Sequence, residues 1–173
     1  MWLIRLHHPT ISTRIQTIAA ALGDVIAPTS LPDLHVTVSV AGFPTTSPER
    51  DDDISWSALE HQRKTLRFLP FELEVGRAGS FSTAAFLEVR DPSGGLAHVR
   101  RQLLSTSGEV RFAAYQPHVT IGVYRGDAPA APICGVLGEH RSLVGVRVVV
   151  SSVELVTFEA ASAGSPLETV WSV

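Results

Sequence analysis

Apolar positions along the chain switch between two periods. Trp2 to Leu6 is a short apolar run the length of a strand, and Ile11, Ile15, Ile18, Ala19 and Leu22 then recur at helical spacing, with Gly23 placed to end the helix. Leu31 to Val40 is a second apolar run, closed by Gly42, Phe43 and Pro44. A Ser/Thr/Pro-rich loop and Asp51 to Asp53 lead into a second helix, whose stripe is Trp56, Leu59, Leu66 and Leu69 and whose Ser57 and Glu60 have capping-box spacing. Phe71 to Val75 and Ala84 to Val89 read as neighbouring strands with Gly76 and Gly79 between them. Leu96, Val99, Leu103 and Leu104 mark a third helix, preceded by Asp91-Pro92-Ser93 and followed by Gly108. A strand from about Gln116 to Tyr124, a Gly/Ala/Pro-rich connection from Gly126 to Gly138, a strand from Val144 to Val156 and a last strand from Thr169 to Val173 complete the series. The pattern predicts one domain spanning residues 1–173, with two lobes built from two passes of strand and helix.

Two of these strands carry the same word, His35-Val36-Thr37 and His118-Val119-Thr120. Given the chain's His, Val and Thr content, chance composition predicts on the order of 0.06 copies of this tripeptide, so two copies call for a reason. Side chains alternate across a strand, which puts His35, Thr37 and Ser39 on one face and Leu34, Val36, Val38 and Val40 on the other. The same parity assigns His118, Thr120, Gly122 and Tyr124 to one face of the second strand. Polar rows on otherwise apolar strands suit phosphate chemistry. A threonine hydroxyl donates to a phosphate oxygen, and an imidazole that titrates near neutrality acts as base or acid, each worth about 10²–10⁴ in rate. Developing charge would meet fixed donors in a partly dry cleft.

Composition narrows the partners. A net charge of −3, with 14 basic residues of which only Lys64 is a lysine, disfavours extended duplex nucleic acid, where affinity comes from many phosphate contacts. Arginine still grips a single phosphate well. No stretch has the length of a signal peptide's apolar region or a membrane span, which predicts a cytoplasmic protein without membrane contact. The lone Cys134 has no disulfide partner and no zinc spacing. Asp51 to Asp53 lack the spaced partners of a metal site and fit a helix start instead. Gly76-Arg77-Ala78-Gly79-Ser80 has the look of a phosphate cradle but lacks the lysine and spacing of a P-loop, so a glycine-rich turn is the expectation.

With its paired motifs about half a chain apart and each followed by an aliphatic residue, the sequence resembles the 2H phosphoesterase superfamily, in particular its bacterial RNA 2′,3′-cyclic phosphodiesterases, also called 2′-5′ RNA ligase-like proteins. The resemblance implies an α+β fold of two pseudo-symmetric lobes, each an antiparallel sheet with flanking helices, around a central cleft. It implies metal-independent, cofactor-free opening of a 2′,3′-cyclic phosphate, or cleavage of a related 2′-5′ linkage, by a monomer acting on a small nucleotide or RNA terminus. His35, Thr37, His118 and Thr120 would be catalytic, with His118 activating water and His35 protonating the leaving ribose oxygen. Members of that branch carry an arginine five residues beyond the second histidine, where this chain has Val123, with Arg125 two residues later. Tyr124, Arg125, Phe43, Tyr115 and Ser39 are the substrate-binding candidates. The alternative is a catalytically silent module that binds a nucleotide or RNA end in the same cleft.

Overall fold

A computed structural model describes residues 1–110, 114–126, 129–141, 144–161 and 165–173. Strand β1 (Trp2–Arg5) leads into helix α1 (Pro9–Leu22), which starts on a proline and buries Ile11, Ile15, Ile18 and Leu22. A short strand β2 (Ile26–Pro28) follows, then β3 (His35–Ser39), entered through a 3-10 turn at Leu31–Asp33 that shortens the expected Leu31 to Val40 strand. β4 (Phe43–Thr45) and β5 (Asp53–Ser55) form a small parallel pair. In helix α2 (Trp56–Thr65) the cap is Ser55, whose Oγ accepts from the Ala58 N–H at 3.1 Å, and not Ser57. The Asp53 carboxylate accepts the N–H groups of Glu49 and Arg50 and so belongs to the preceding loop. Leu69 lies beyond the helix and is exposed.

Strands β6 (Phe71–Ser80) and β7 (Ala84–Arg90) form a hairpin, and helix α3 (Gly95–Leu104) follows. Gly76 and Gly79 lie inside β6, where a register shift between Val75 and Ala78 absorbs an irregularity, so the turn is at 81–83. The second motif strand is β8 (His118–Tyr124). The Gly/Ala/Pro-rich connection contains a helix, α4 (Ala130–Glu139), that buries Ile133 and Leu137. The run from Val144 to Val156 is two strands, β9 (Val146–Val150) and β10 (Glu154–Thr157), and β11 (Glu168–Ser172) ends the series.

The fold is α+β. Two antiparallel half-sheets, β11-β10-β1-β3 and β8-β7-β6-β9, meet where β3 pairs with β8 at Val36 and Val119, and β2 adds to the far end of β8. The halves are not successive passes of the chain, because β10 and β11 return to pair with β1. Helices also cross over: α1 packs on β8, and α3 packs on β3. Ile4, Val36, Val119, Leu87 and Ala78 form one apolar rung across five strands, and all are buried. With the apolar side of the motif strands packed under the helices, the opposite side is left to the polar residues.

Candidate active site

The Val36–Val119 pair sets the geometry. Along the antiparallel strands it is flanked by His35 and Thr120 on one side and by Thr37 and His118 on the other. Each threonine therefore neighbours the histidine of the other half, and the two histidines are diagonal, about 7–8 Å apart at their carbons for such positions. Outside the motifs, the same register places Arg5 beside His35, Phe86 beside Thr120 and Glu88 beside His118.

Both imidazoles are held alike. His35 Nδ1 lies 2.6 Å from the Asp33 carbonyl oxygen, and His118 Nδ1 lies 2.7 Å from that of Gln116, two residues back in each case. A carbonyl only accepts, so Nδ1 carries the hydrogen in both rings and Nε2 is the basic nitrogen of each. The Thr37 hydroxyl has only the weak Sδ acceptor of Met1 at 3.5 Å, and Thr120 makes no side-chain hydrogen bond among the described residues. Both hydroxyls are open to a ligand.

Surroundings differ between the two rings. Burial lowers the pKa of His35 below its ordinary 6.5, the Asp33 carbonyl opposes that shift, and the charges of Arg5 and of His118 lower it further. Arg5 itself is fully engaged: it pairs with Glu154 at 3.2 Å and Asp33 at 3.1 Å, and donates to the Pro32 carbonyl at 3.1 Å and the Thr169 hydroxyl at 3.4 Å. It acts as a brace and a fixed charge. His118 meets two aromatic rings edge-on, Phe81 at 4.9 Å and Phe86 at 5.6 Å, which stack on each other at 4.2 Å. Phe81, Phe86 and Glu88 escaped the sequence reading. Alternation alone says which residues of β7 share a face, but only the β7–β8 register says what lies beside His118.

The remaining candidates scatter, for a reason both motifs share. Opposite β1, Trp2 pairs with Ser39 and Leu3 with Thr37, leaving Val38 as an extra residue. Opposite β7, Ala85 pairs with Gly122 and Phe86 with Thr120, leaving Ile121 as an extra residue. Each bulge falls three residues after the histidine and reverses the parity beyond it. Ser39 is accordingly buried, at 1% exposure, and not beside His35 on the open face. Val123, where the resemblance expects arginine, lines a cavity of about 550 Å³ with His35, Asp33, Pro28 and Phe158. Tyr124 turns away, its hydroxyl 2.7 Å from Ser80 Oγ. Arg125 spends its Nε on the Ile26 carbonyl at 3.0 Å.

Tyr115 is a prop. Its hydroxyl donates to the Thr37 carbonyl at 2.8 Å, and the Arg100 guanidinium lies 3.9 Å above its ring. Arg100 also donates to the Val38 carbonyl and pairs with Glu109, whose carboxylate takes the Val40 N–H at 3.0 Å. Phe43 is half exposed in a separate apolar cavity of about 290 Å³ with Trp56 and Leu59, joined to the His35 side through Met1 and Phe158. Among the described residues no group of three His, Cys, Asp or Glu side chains is placed to hold a metal ion.

Residues 8–161 match the family model described as the 2′-5′ RNA ligase superfamily. The chain belongs to that superfamily. Among solved structures of similar fold are TT0787 of Thermus thermophilus (16% identity, TM-score 0.73, covering 99% of this chain and 96% of that one) and LigT of E. coli complexed with 3′-AMP (16% identity, TM-score 0.70, 99% and 95%). E. coli LigT has also been solved with phosphate (17% identity, TM-score 0.66, 99% and 94%). No curated protein matches the sequence significantly. At these identities the likeness to the solved structures shows the fold alone. No helix of the described residues is long and apolar enough to cross a membrane.

Proposed function

We propose that this chain is a phosphodiesterase that opens 2′,3′-cyclic phosphates, at RNA ends or on small nucleotides, with His35 and His118 as the acid–base pair. The observation that carries the proposal is the matched pair of imidazoles, each with Nδ1 on a carbonyl two residues back, on adjacent strands across the Val36–Val119 pair and each beside the threonine of the other motif. Binding of 3′-AMP and of phosphate by E. coli LigT supports a nucleotide phosphate as the ligand.

In this reading the phosphate sits over the Thr37–Thr120 diagonal, and both hydroxyls donate to its non-bridging oxygens. His118 Nε2 takes a proton from water as the water oxygen bonds to phosphorus. The bond from phosphorus to one ribose oxygen breaks, and that oxygen takes the proton of His35 Nε2, leaving a phosphomonoester and a free hydroxyl. A lowered pKa suits His35 to giving its proton away. The proton is supplied as the anionic substrate arrives, because a phosphate beside the ring offsets the Arg5 charge.

The test is to incubate the EDTA-treated protein with a panel of 2′,3′-cyclic nucleotides and separate 2′- from 3′-phosphate products. Turnover is expected, with a loss of about 10²–10⁴ in each of His35→Ala and His118→Ala. Full activity in either variant defeats the mechanism. Nucleotide binding without any turnover establishes the silent binding module instead.

A further inference from the structure

Beside His118 lies a second polar cavity, of about 300 Å³, lined by Arg77, Gly79, Phe86, Glu88, Gln116 and Arg141. It adjoins the proposed reaction centre directly: Gln116 supplies the carbonyl that holds His118, Phe86 packs on the His118 ring, and Glu88 is the cross-strand neighbour of His118. The two arginines come from distant parts of the chain. Arg77 sits at the register shift of β6, Arg141 follows α4, and the Ala78 N–H reaches the His140 carbonyl at 3.5 Å, tying the two segments together. Among the described residues neither guanidinium makes an ion pair or a side-chain hydrogen bond, whereas Arg5 and Arg100 are fully engaged. Two guanidiniums against the single Glu88 carboxylate leave one net positive charge, the complement of one phosphodiester.

Gly79 explains how the wall of this cavity is built. A Cβ there would come within 2.8 Å of the Phe86 ring, so the glycine lets that ring lie against β6 and reach His118. The Gly-Arg-Ala-Gly-Ser run is thus neither a P-loop nor a plain turn. It is an irregular strand segment that presents one arginine and clears space for one aromatic ring.

We propose that Arg77 and Arg141 form a second phosphate subsite that takes the phosphodiester next to the reacting one, which makes the substrate an RNA end and not a mononucleotide. The inference rests on the proposed reading of the His35–His118 site. A nucleoside 2′,3′-cyclic phosphate has one phosphate and leaves this cavity empty. A strand ending in a cyclic phosphate has a diester one nucleoside away and fills it, with each arginine able to donate two parallel N–H groups.

The experiment compares 2′,3′-cyclic AMP with a short oligoribonucleotide ending in a 2′,3′-cyclic phosphate, for the parent protein, Arg77→Ala, Arg141→Ala and the double variant. Expected is a rise in KM of at least about tenfold for the oligonucleotide in the double variant, with 2′,3′-cyclic AMP turnover unchanged. The salt dependence of oligonucleotide KM also flattens, by about 0.7 in the log–log slope for one lost single-strand phosphate contact. Equal losses on both substrates, or none on either, overturn the subsite. Should the parent turn over neither substrate, the catalytic reading fails by itself. The subsite is then read from fluorescence anisotropy of a labelled oligoribonucleotide with a 3′-phosphate, and equal affinity of parent and double variant overturns it.

Discussion

A histidine whose Nδ1 is committed to a carbonyl has one nitrogen left for chemistry, and its environment decides how that nitrogen behaves. For His35, burial and the Arg5 charge favour the neutral ring, so its folded pKa lies below the 6.5 of the unfolded chain. Between those two values the unfolded chain binds more protons than the folded one. The stability contributed by a neutral His35 is therefore present above 6.5 and is lost as pH falls through the window. Denaturant midpoints measured between about pH 5 and 8 will fall less steeply on acidification in His35→Gln than in the parent. The kinetic signature is separate. With His35 as the acid, the alkaline limb of kcat/KM falls below pH 6.5, and with His35 as the base it is the acidic limb that does so. The four motif residues were legible in the sequence because a repeated word is a long-range signal. The prop role of Tyr115 was not, because nothing local says that its hydroxyl reaches the Thr37 carbonyl.

At the scale of elements, periodicity located most strands and helices and misjudged where the period breaks. A bulge is one extra residue, and neither Val38 nor Ile121 differs in kind from its neighbours, so strict alternation carried the histidine face on to Ser39 and Tyr124. Only pairing with β1 and β7 exposes the shift. Helix α4 was hidden by its own composition, since Gly135 and Gly138 are poor helix formers and burial of Ile133 and Leu137 overrides them. Gly122 is the element-scale test. A Cβ there would lie 2.6 Å from the Ala27 carbonyl oxygen and 2.8 Å from Ile26 Cδ1, because β2 pairs closely alongside β8 at this position. Gly122→Ala forces β2 outward, and we expect a loss of about 1–3 kcal/mol in unfolding free energy by urea titration.

For the whole molecule, the order of strands matters more than their number. Chain segments from both ends build the half containing β1, and helices from each half cover the motif strand of the other. Such interleaving predicts one cooperative unfolding transition. All three tryptophans report on the half containing β1: Trp2 lies in that strand, and Trp56 at the start of α2 meets Trp171 of β11 edge-on at 6.2 Å. Tryptophan fluorescence thus follows that half alone while far-ultraviolet circular dichroism follows the whole chain. Coincident denaturation curves are expected, and separated curves would show halves that unfold independently.

The Val36–Val119 pair gives the proposed reaction centre a fixed ruler. The proposed acid and base stand on neighbouring, paired strands of one sheet, so their separation is a repeat distance of the sheet and not the setting of a hinge. A phosphate bound as proposed would meet a surface whose spacing the sheet register has already cut to size.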